Sequence, residues 1–197
     1  DLLSLKPIGE NQKVVFDTWD KGKNVFVFGA AGTGKTFILL YKALQDVLNP
    51  NTEYDRVIIV RSLIPTREIG FLPGDEEDKS ALYQINYMNM VRFMFQQPNE
   101  QAFLMLFDRL KQQGTLHFMS TSFLRGLTFD NSIIIVDECQ NLNFHELDTI
   151  ITRVGQNSKI SFAGDFFQTD LTKSVEKNGL QDFVRILDNM PSFNVTE

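Results

Sequence analysis

The stretch Gly29-Ala30-Ala31-Gly32-Thr33-Gly34-Lys35-Thr36 constrains this chain more than any other. It follows the apolar run Val25-Phe26-Val27-Phe28 and opens a segment in which Phe37, Leu40, Tyr41, Leu44, Val47 and Leu48 recur at helical spacing, so the order is strand, loop, helix. Glycines let consecutive backbone N–H groups turn inward around a phosphate, and the helix that starts at the loop adds the positive end of its dipole. The spacing is that of a P-loop. Gly29, Ala30, Ala31, Gly32, Thr33 and Gly34 then form the cradle, Lys35 reaches the β- and γ-phosphates as a point charge, and the Thr36 hydroxyl joins a Mg²⁺ shell.

A P-loop needs a carboxylate at the end of a neighbouring strand to hold Mg²⁺ through water. Ser132-Ile133-Ile134-Ile135-Val136 ends in Asp137-Glu138, which assigns Asp137 to the metal and Glu138 to orienting and polarising the attacking water. Lys159-Ile160-Ser161-Phe162-Ala163 is the next strand and runs into Gly164-Asp165-Phe166-Phe167-Gln168. Its end is expected beside the γ-phosphate. Gln168 there either senses that phosphate or belongs to an ordinary polar loop. ATP is the expected nucleotide, since no Asn-Lys-x-Asp element that would read guanine follows the sheet.

The remaining elements read as an α/β chain. Residues 1–22 form a lead-in with a short helix from Asn11 to Trp19. The polar cluster Asn11-Gln12-Lys13 either only caps the helix through Asn11 or also offers the Gln12 amide donor and acceptor to an adenine edge. Val57-Ile58-Ile59-Val60 reads as a buried parallel strand leading to Arg61-Ser62, well sited for phosphate beyond the carboxyl end of a strand. A long loop through Gly70-Phe71-Leu72-Pro73-Gly74-Asp75 and an acidic run then begin a helix from about Lys79 to Gln97, whose core stripe is expected at Ala81, Ile85, Met88, Val91 and Phe95. A second helix beyond Pro98 buries Phe103, Leu106, Phe107 and Leu110 and stops at Gly114. Thr115-Leu116-His117-Phe118-Met119 alternates as a strand. The loop after it carries Arg125, which either contacts a phosphate backbone or flanks a capped turn. Asn143 with Glu146 predicts a capping box on a helix that buries Phe144, Leu147, Ile151 and Val154 and closes at Arg153 and Gly155. Leu171 to Asn189 reads as a loop and a helix, followed by a short tail.

Composition narrows the partners. With 19 basic against 25 acidic residues the net charge is −6, so no global positive field can hold nucleic acid and any such site must be local. The single cysteine excludes an internal disulfide and fits a reducing compartment. The longest apolar run, Ala102 to Phe107, is too short to span a bilayer, and the first twenty residues lack a signal-peptide profile, so no membrane partner is expected.

Together the motifs resemble the PhoH family of P-loop ATPases, related to the RecA-like core of superfamily 1 helicases and found in bacteria and their phages. The resemblance rests on Gly29–Thr36, Arg61 with Gly70-Phe71-Leu72-Pro73-Gly74-Asp75, Phe123-Leu124-Arg125-Gly126, Asp137-Glu138-Cys139-Gln140-Asn141, Thr152-Arg153, and Gly164-Asp165 with Gln168. Cys139 stands where the family usually has alanine, and Ser62 where it commonly has proline. The resemblance implies a single RecA-like domain over 1–197, with a mostly parallel sheet, helices on both faces and its core in 23–189. It implies nucleotide contacts from Gln12, Lys35 and Thr36, metal and water handling by Asp137 and Glu138, and a cytoplasmic site, in a bacterium or in a phage host. It also implies a homo-oligomeric ring, a hexamer being the favoured size. Arg153 is then either a trans arginine finger, a device worth about 10³–10⁵ in rate, or a helix-terminal cation complementing the dipole. The function so implied is Mg²⁺-dependent ATP hydrolysis coupled to binding, translocation or remodelling of single-stranded RNA or DNA, with Arg61, Ser62 and Arg125 as contacts. The alternative is an ATP-dependent switch or scaffold acting on a protein partner.

Overall fold

The apolar runs become strands of one sheet in the computed structural model, which describes residues 1–29, 34–62, 76–165 and 193–196, with the backbone alone at 76–80, 82 and 193–196. The strands are β1 (Asn24–Phe28), β2 (Arg56–Arg61), β3 (Leu116–Ser120), β4 (Ser132–Val136), β5 (Lys159–Gly164) and β6 (Phe193–Thr196). They lie in the order β3-β2-β4-β5-β1-β6, and every pairing is parallel. The helices are α1 (Glu10–Asp20), α2 (Lys35–Val47), α3 (Glu76–Phe95), α4 (Glu100–Gln112) and α5 (Phe144–Ile151), with short 3₁₀ turns at Thr121–Phe123 and Cys139–Asn141.

Alternation along the strands divides the core between two faces. Val25, Val57, Ile59, Ile133 and Ile135 pack with α1 to α4 through Trp19, Leu40, Leu44, Val91 and Phe107. Phe26, Ile58, Val60, Ile134 and Val136 pack on the other side with Leu142, Leu147 and Ile150. Burial on both faces is why the central strands read as continuous apolar runs, and the result is the single α/β, RecA-like architecture expected.

Several local expectations shift. The cap of α1 is Gly9 rather than Asn11, and the residues after 192, read as a tail, form β6 against β1. Asn99 caps α4 by accepting from the Ala102 N–H, and both bonds of the Asn143–Glu146 capping box are present on α5. On α5, however, Phe144 is 43% exposed and Ile150 takes an inward place. The larger revision concerns α3. Its buried line is Tyr83, Tyr87, Val91, Met94 and Phe95, whereas Ala81 is exposed and Ile85 is 47% exposed. A tyrosine buries its ring and keeps a polar tip, so a stripe traced through purely apolar residues passes beside the true inward face. The expected helix within 171–189 lies outside the described residues.

At the start of β5 a lysine is buried beneath α1. Lys159 is 2% exposed; its Nζ donates to the Trp19 carbonyl at 3.0 Å and sits 4.0 Å from the Trp19 ring centroid. Burial lowers its pKa to about 8, against a partial pull upward from Asp46 and Asp20. The folded chain therefore holds this proton less tightly than the unfolded chain does. The full cost is present below pH 8 and is relieved as pH rises toward the unfolded value near 10.5. Urea unfolding between pH 7 and pH 10 is expected to show wild type gaining a few kcal/mol relative to Lys159→Met, each tenfold difference in proton affinity being worth roughly 1.4 kcal/mol. Parallel stability curves for the two proteins would refute the assignment.

Candidate active site

Because the strands are all parallel, their carboxyl ends share one edge, and that edge collects Gly29, Arg61, Ser120, Asp137 and Asp165. Such an edge is where open α/β sheets bind ligands. At the end of β1, Gly34 adopts a left-handed conformation (φ 81°, ψ 17°) and caps α2 without a side-chain bond. Only glycine takes that conformation without strain, and the amides of the first turn of α2 are left aimed toward an anion. Lys35 Nζ donates to the Gly29 carbonyl at 3.1 Å, so its charge bridges the two ends of the cradle. Ala30, Ala31, Gly32 and Thr33 lie outside the described residues.

The second half of the site comes from β4, which is not the hydrogen-bonded neighbour of β1, since β5 lies between them. The side chains nevertheless meet. Thr36 Oγ1 donates to Asp137 Oδ1 at 2.7 Å across 101 residues of sequence. The Glu138 N–H reaches the same oxygen at 2.9 Å, and the Tyr87 hydroxyl donates to Oδ2 at 2.6 Å. A threonine hydroxyl beside a carboxylate is a set of hard oxygen donors that suits Mg²⁺, which takes one or two protein oxygens and fills its shell with phosphate and water.

Tyr87 and Arg61 complete this cluster, and the sequence reading missed the first. Burial, reinforced by the charge of Asp137, pushes the Tyr87 phenol well above its ordinary pKa, which keeps it a donor. Arg61 lies with its guanidinium carbon 4.0 Å from the centroid of the Tyr83 ring, one helical turn before Tyr87 on α3. Burial alone would lower its pKa, but Tyr87, Asp137 and Glu138 outweigh that and raise it.

Glu138 is held differently. It is a non-glycine residue in the left-handed region (φ 51°, ψ 41°), a conformation that costs about 1–2 kcal/mol and persists only where neighbours impose it. Gln140 is one such neighbour. Its Nε2 donates to Glu138 Oε2 at 2.6 Å while its Oε1 accepts from the Asp165 N–H at 3.0 Å, which ties the end of β4 to the end of β5. Sequence reasoning gives Gln140 no role of its own, and its one signal there is its place after the two carboxylates. Gln168 lies outside the described residues.

The other candidates are dispersed. Gln12 lies in the first turn of α1, and its Oε1 accepts from the Ile8 N–H at 2.7 Å. Ser62 is 5% exposed, whereas Arg125 is exposed beyond the turn at Thr121–Phe123. Arg153 sits at the opposite edge of the sheet. Its carbonyl accepts from Phe129 N–H ahead of β4, so at roughly 3.3 Å per strand residue it is on the order of 20 Å from Asp137. Its Nε is buried without a hydrogen-bond partner.

The β4 and β5 ends fit together only because residue 164 lacks a side chain. A Cβ there would stand 2.5 Å from Cys139 Sγ and 3.2 Å from Gln140 Oε1. Cys139 is fully buried, and burial raises its thiol pKa, followed by the nearby charges of Asp137 and Glu138, so it serves as packing. Gly164→Ala is expected to destabilise the chain by about 1–3 kcal/mol in thermal or urea unfolding, and Cys139→Ala to recover part of that loss in the double variant. Strict additivity of the two changes would show that this contact is not the cause.

Comparison with known proteins places the chain in a family. The model of the PhoH family, described as PhoH-like protein, matches residues 4–197. The PhoH-like protein of Synechocystis sp. is 36% identical over 166 residues, covering 84% of this chain and 48% of that protein. Protein PhoH of Escherichia coli is 33% identical over 160 residues, covering 80% and 43%. The chain thus spans about half the length of the curated relatives it matches. Among solved structures, a Sulfolobus solfataricus SWI2/SNF2 ATPase core in complex with dsDNA is similar at a TM-score of 0.49 and 15% identity, covering 99% of this chain and 46% of that one, too distant to carry an argument. A family match along nearly the whole sequence, joined by relatives above 30% identity, establishes that the chain belongs to the PhoH family.

Proposed function

We propose that this chain is a Mg²⁺-dependent ATPase whose turnover is coupled to single-stranded nucleic acid, RNA first. The observation that carries the reading is the 2.7 Å bond between Thr36 and Asp137, which unites a phosphate-binding loop with a strand-end carboxylate. Bound Mg²⁺ would neutralise the developing phosphate charge at those two residues.

The protein's own groups supply the rest. Lys35, now on the Gly29 carbonyl, exchanges that oxygen for a phosphate oxygen by a local rotation. Gln140 aims the Glu138 carboxylate, which takes the proton of the attacking water. Gln168, three residues past Asp165, is the proposed γ-phosphate sensor, and the Gln12 amide the adenine contact. Arg125, exposed beside Phe123 at 59% exposure, offers a cation and a ring of the kind that hold a single strand by its phosphates and bases. Arg61 and Ser62 flank the same edge. With a net charge of −6 such binding depends on these local groups.

Steady-state ATP turnover with and without single-stranded RNA at low salt tests the reading. RNA is expected to raise the rate. Lys35→Ala is expected to weaken nucleotide binding, and Glu138→Gln to retain binding while losing at least about a hundredfold in turnover. No response to RNA or single-stranded DNA would leave the protein-directed switch as the better account, and full turnover in Glu138→Gln would remove Glu138 from its role.

Arg153, distant from its own P-loop, is proposed to act in trans, in a ring that sets one subunit's far sheet edge against the next subunit's nucleotide. Mixing Arg153→Ala with Glu138→Gln protein is expected to restore turnover, because some sites then draw an intact glutamate and an intact arginine from different subunits. A mixture no more active than its components would exclude the shared site.

A further inference from the structure

Asp137 is 5% exposed, and its carboxylate is oriented from both sides. Oδ1 faces Thr36 and the Glu138 N–H, the groups of the phosphate end of the site. Oδ2 is held by the Tyr87 hydroxyl, from a helix 50 residues away in sequence. Without a donor on Oδ2 the carboxylate could rotate about its Cβ–Cγ bond, and the oxygen facing Thr36 would no longer be determined. Tyr87 itself is immobilised. It is 2% exposed, its ring lies 5.5 Å from that of Phe118 on β3, and Phe118 is in turn 6.4 Å from Phe107 on α4. Arg61, at the end of β2, is stacked on Tyr83, one helical turn before Tyr87 on α3, and its charge acts on the Tyr87 phenol. The Arg61 charge draws on the Tyr87 phenol and so strengthens its donation to Asp137.

We propose that Tyr87 is the positioning residue that presents the Asp137 carboxylate to the metal of a Mg²⁺–nucleotide complex. The inference rests on the proposed ATPase reading and adds to it a support drawn from α3 and β2. Outer partners that orient a metal ligand typically change metal affinity by about 10–100-fold when removed.

The test is equilibrium binding of a fluorescent ATP analogue to the 197-residue chain, titrated with Mg²⁺ and repeated in EDTA. Tyr87→Phe keeps the ring against Phe118 and deletes only the donor. It is expected to raise the Mg²⁺ concentration for half-maximal binding roughly tenfold or more, with metal-free nucleotide affinity near wild type and a melting temperature lowered by a few degrees, the cost of one lost donor to a buried carboxylate. Arg61→Met, which removes the charge that acts on the phenol, is expected to shift the Mg²⁺ dependence in the same direction but less than Tyr87→Phe does, and to add little in the double variant, where no phenol is left to act on. Wild type that binds nucleotide with no Mg²⁺ dependence would undo the ATPase reading itself. Wild type with a Mg²⁺ dependence that Tyr87→Phe leaves unchanged would overturn this inference alone. A loss in Tyr87→Phe that is equal with and without Mg²⁺ would also overturn it, because a general loosening of the site moves both.

Discussion

The carboxylate of Asp137 is where the candidate site is held together. Buried at the end of the central strand β4, it must find hydrogen-bond donors, because a buried charge left unpaired costs several kcal/mol. It finds them in three separate parts of the chain: Thr36 at the start of α2, Tyr87 in the middle of α3, and the backbone of Glu138. One group thereby sets the relation of the P-loop, the long helix and the strand edge to each other.

That arrangement is available because the sheet is parallel and covered on both faces. The strands have no polar face to spare, so polar and charged residues are displaced to strand ends, and parallel order brings those ends to one edge. The same logic explains the strain at Glu138. The chain turns sharply on leaving β4, Gln140 folds back onto Glu138 and reaches Asp165, and Gly164 leaves room for Cys139 beneath. Local strain at one residue is offset by the packing of two strand ends.

Much of this was legible in the residues. The P-loop and the strand ending in Asp137-Glu138 are local patterns, and their partnership follows from the chemistry of phosphate and metal. The capping box at Asn143 and Glu146 is likewise complete within four residues. What escaped was long-range. Tyr87 carries no motif and lies off the apolar stripe traced through Ile85 and Met88, because a stripe counted on apolar residues alone discards a tyrosine whose ring is core and whose hydroxyl is site. β6 escaped because four residues of tail become a strand only when β1 offers an unpaired edge. The distance between Arg153 and Asp137 followed from the direction in which α5 returns across the sheet, which spacing along the chain does not encode.

By itself the sequence determined the class of fold, the P-loop motif and the two carboxylates at the end of a buried strand, since each depends on backbone periodicity or on spacing within a few residues. Tertiary structure alone decided which oxygen of Asp137 faces Thr36, that Arg61 is turned onto Tyr83, and that Gln140 bridges two strands. The physical reason is that these are contacts between groups tens of residues apart. Their geometry is set by how helices pack on the sheet and by the demand that each buried polar group be satisfied.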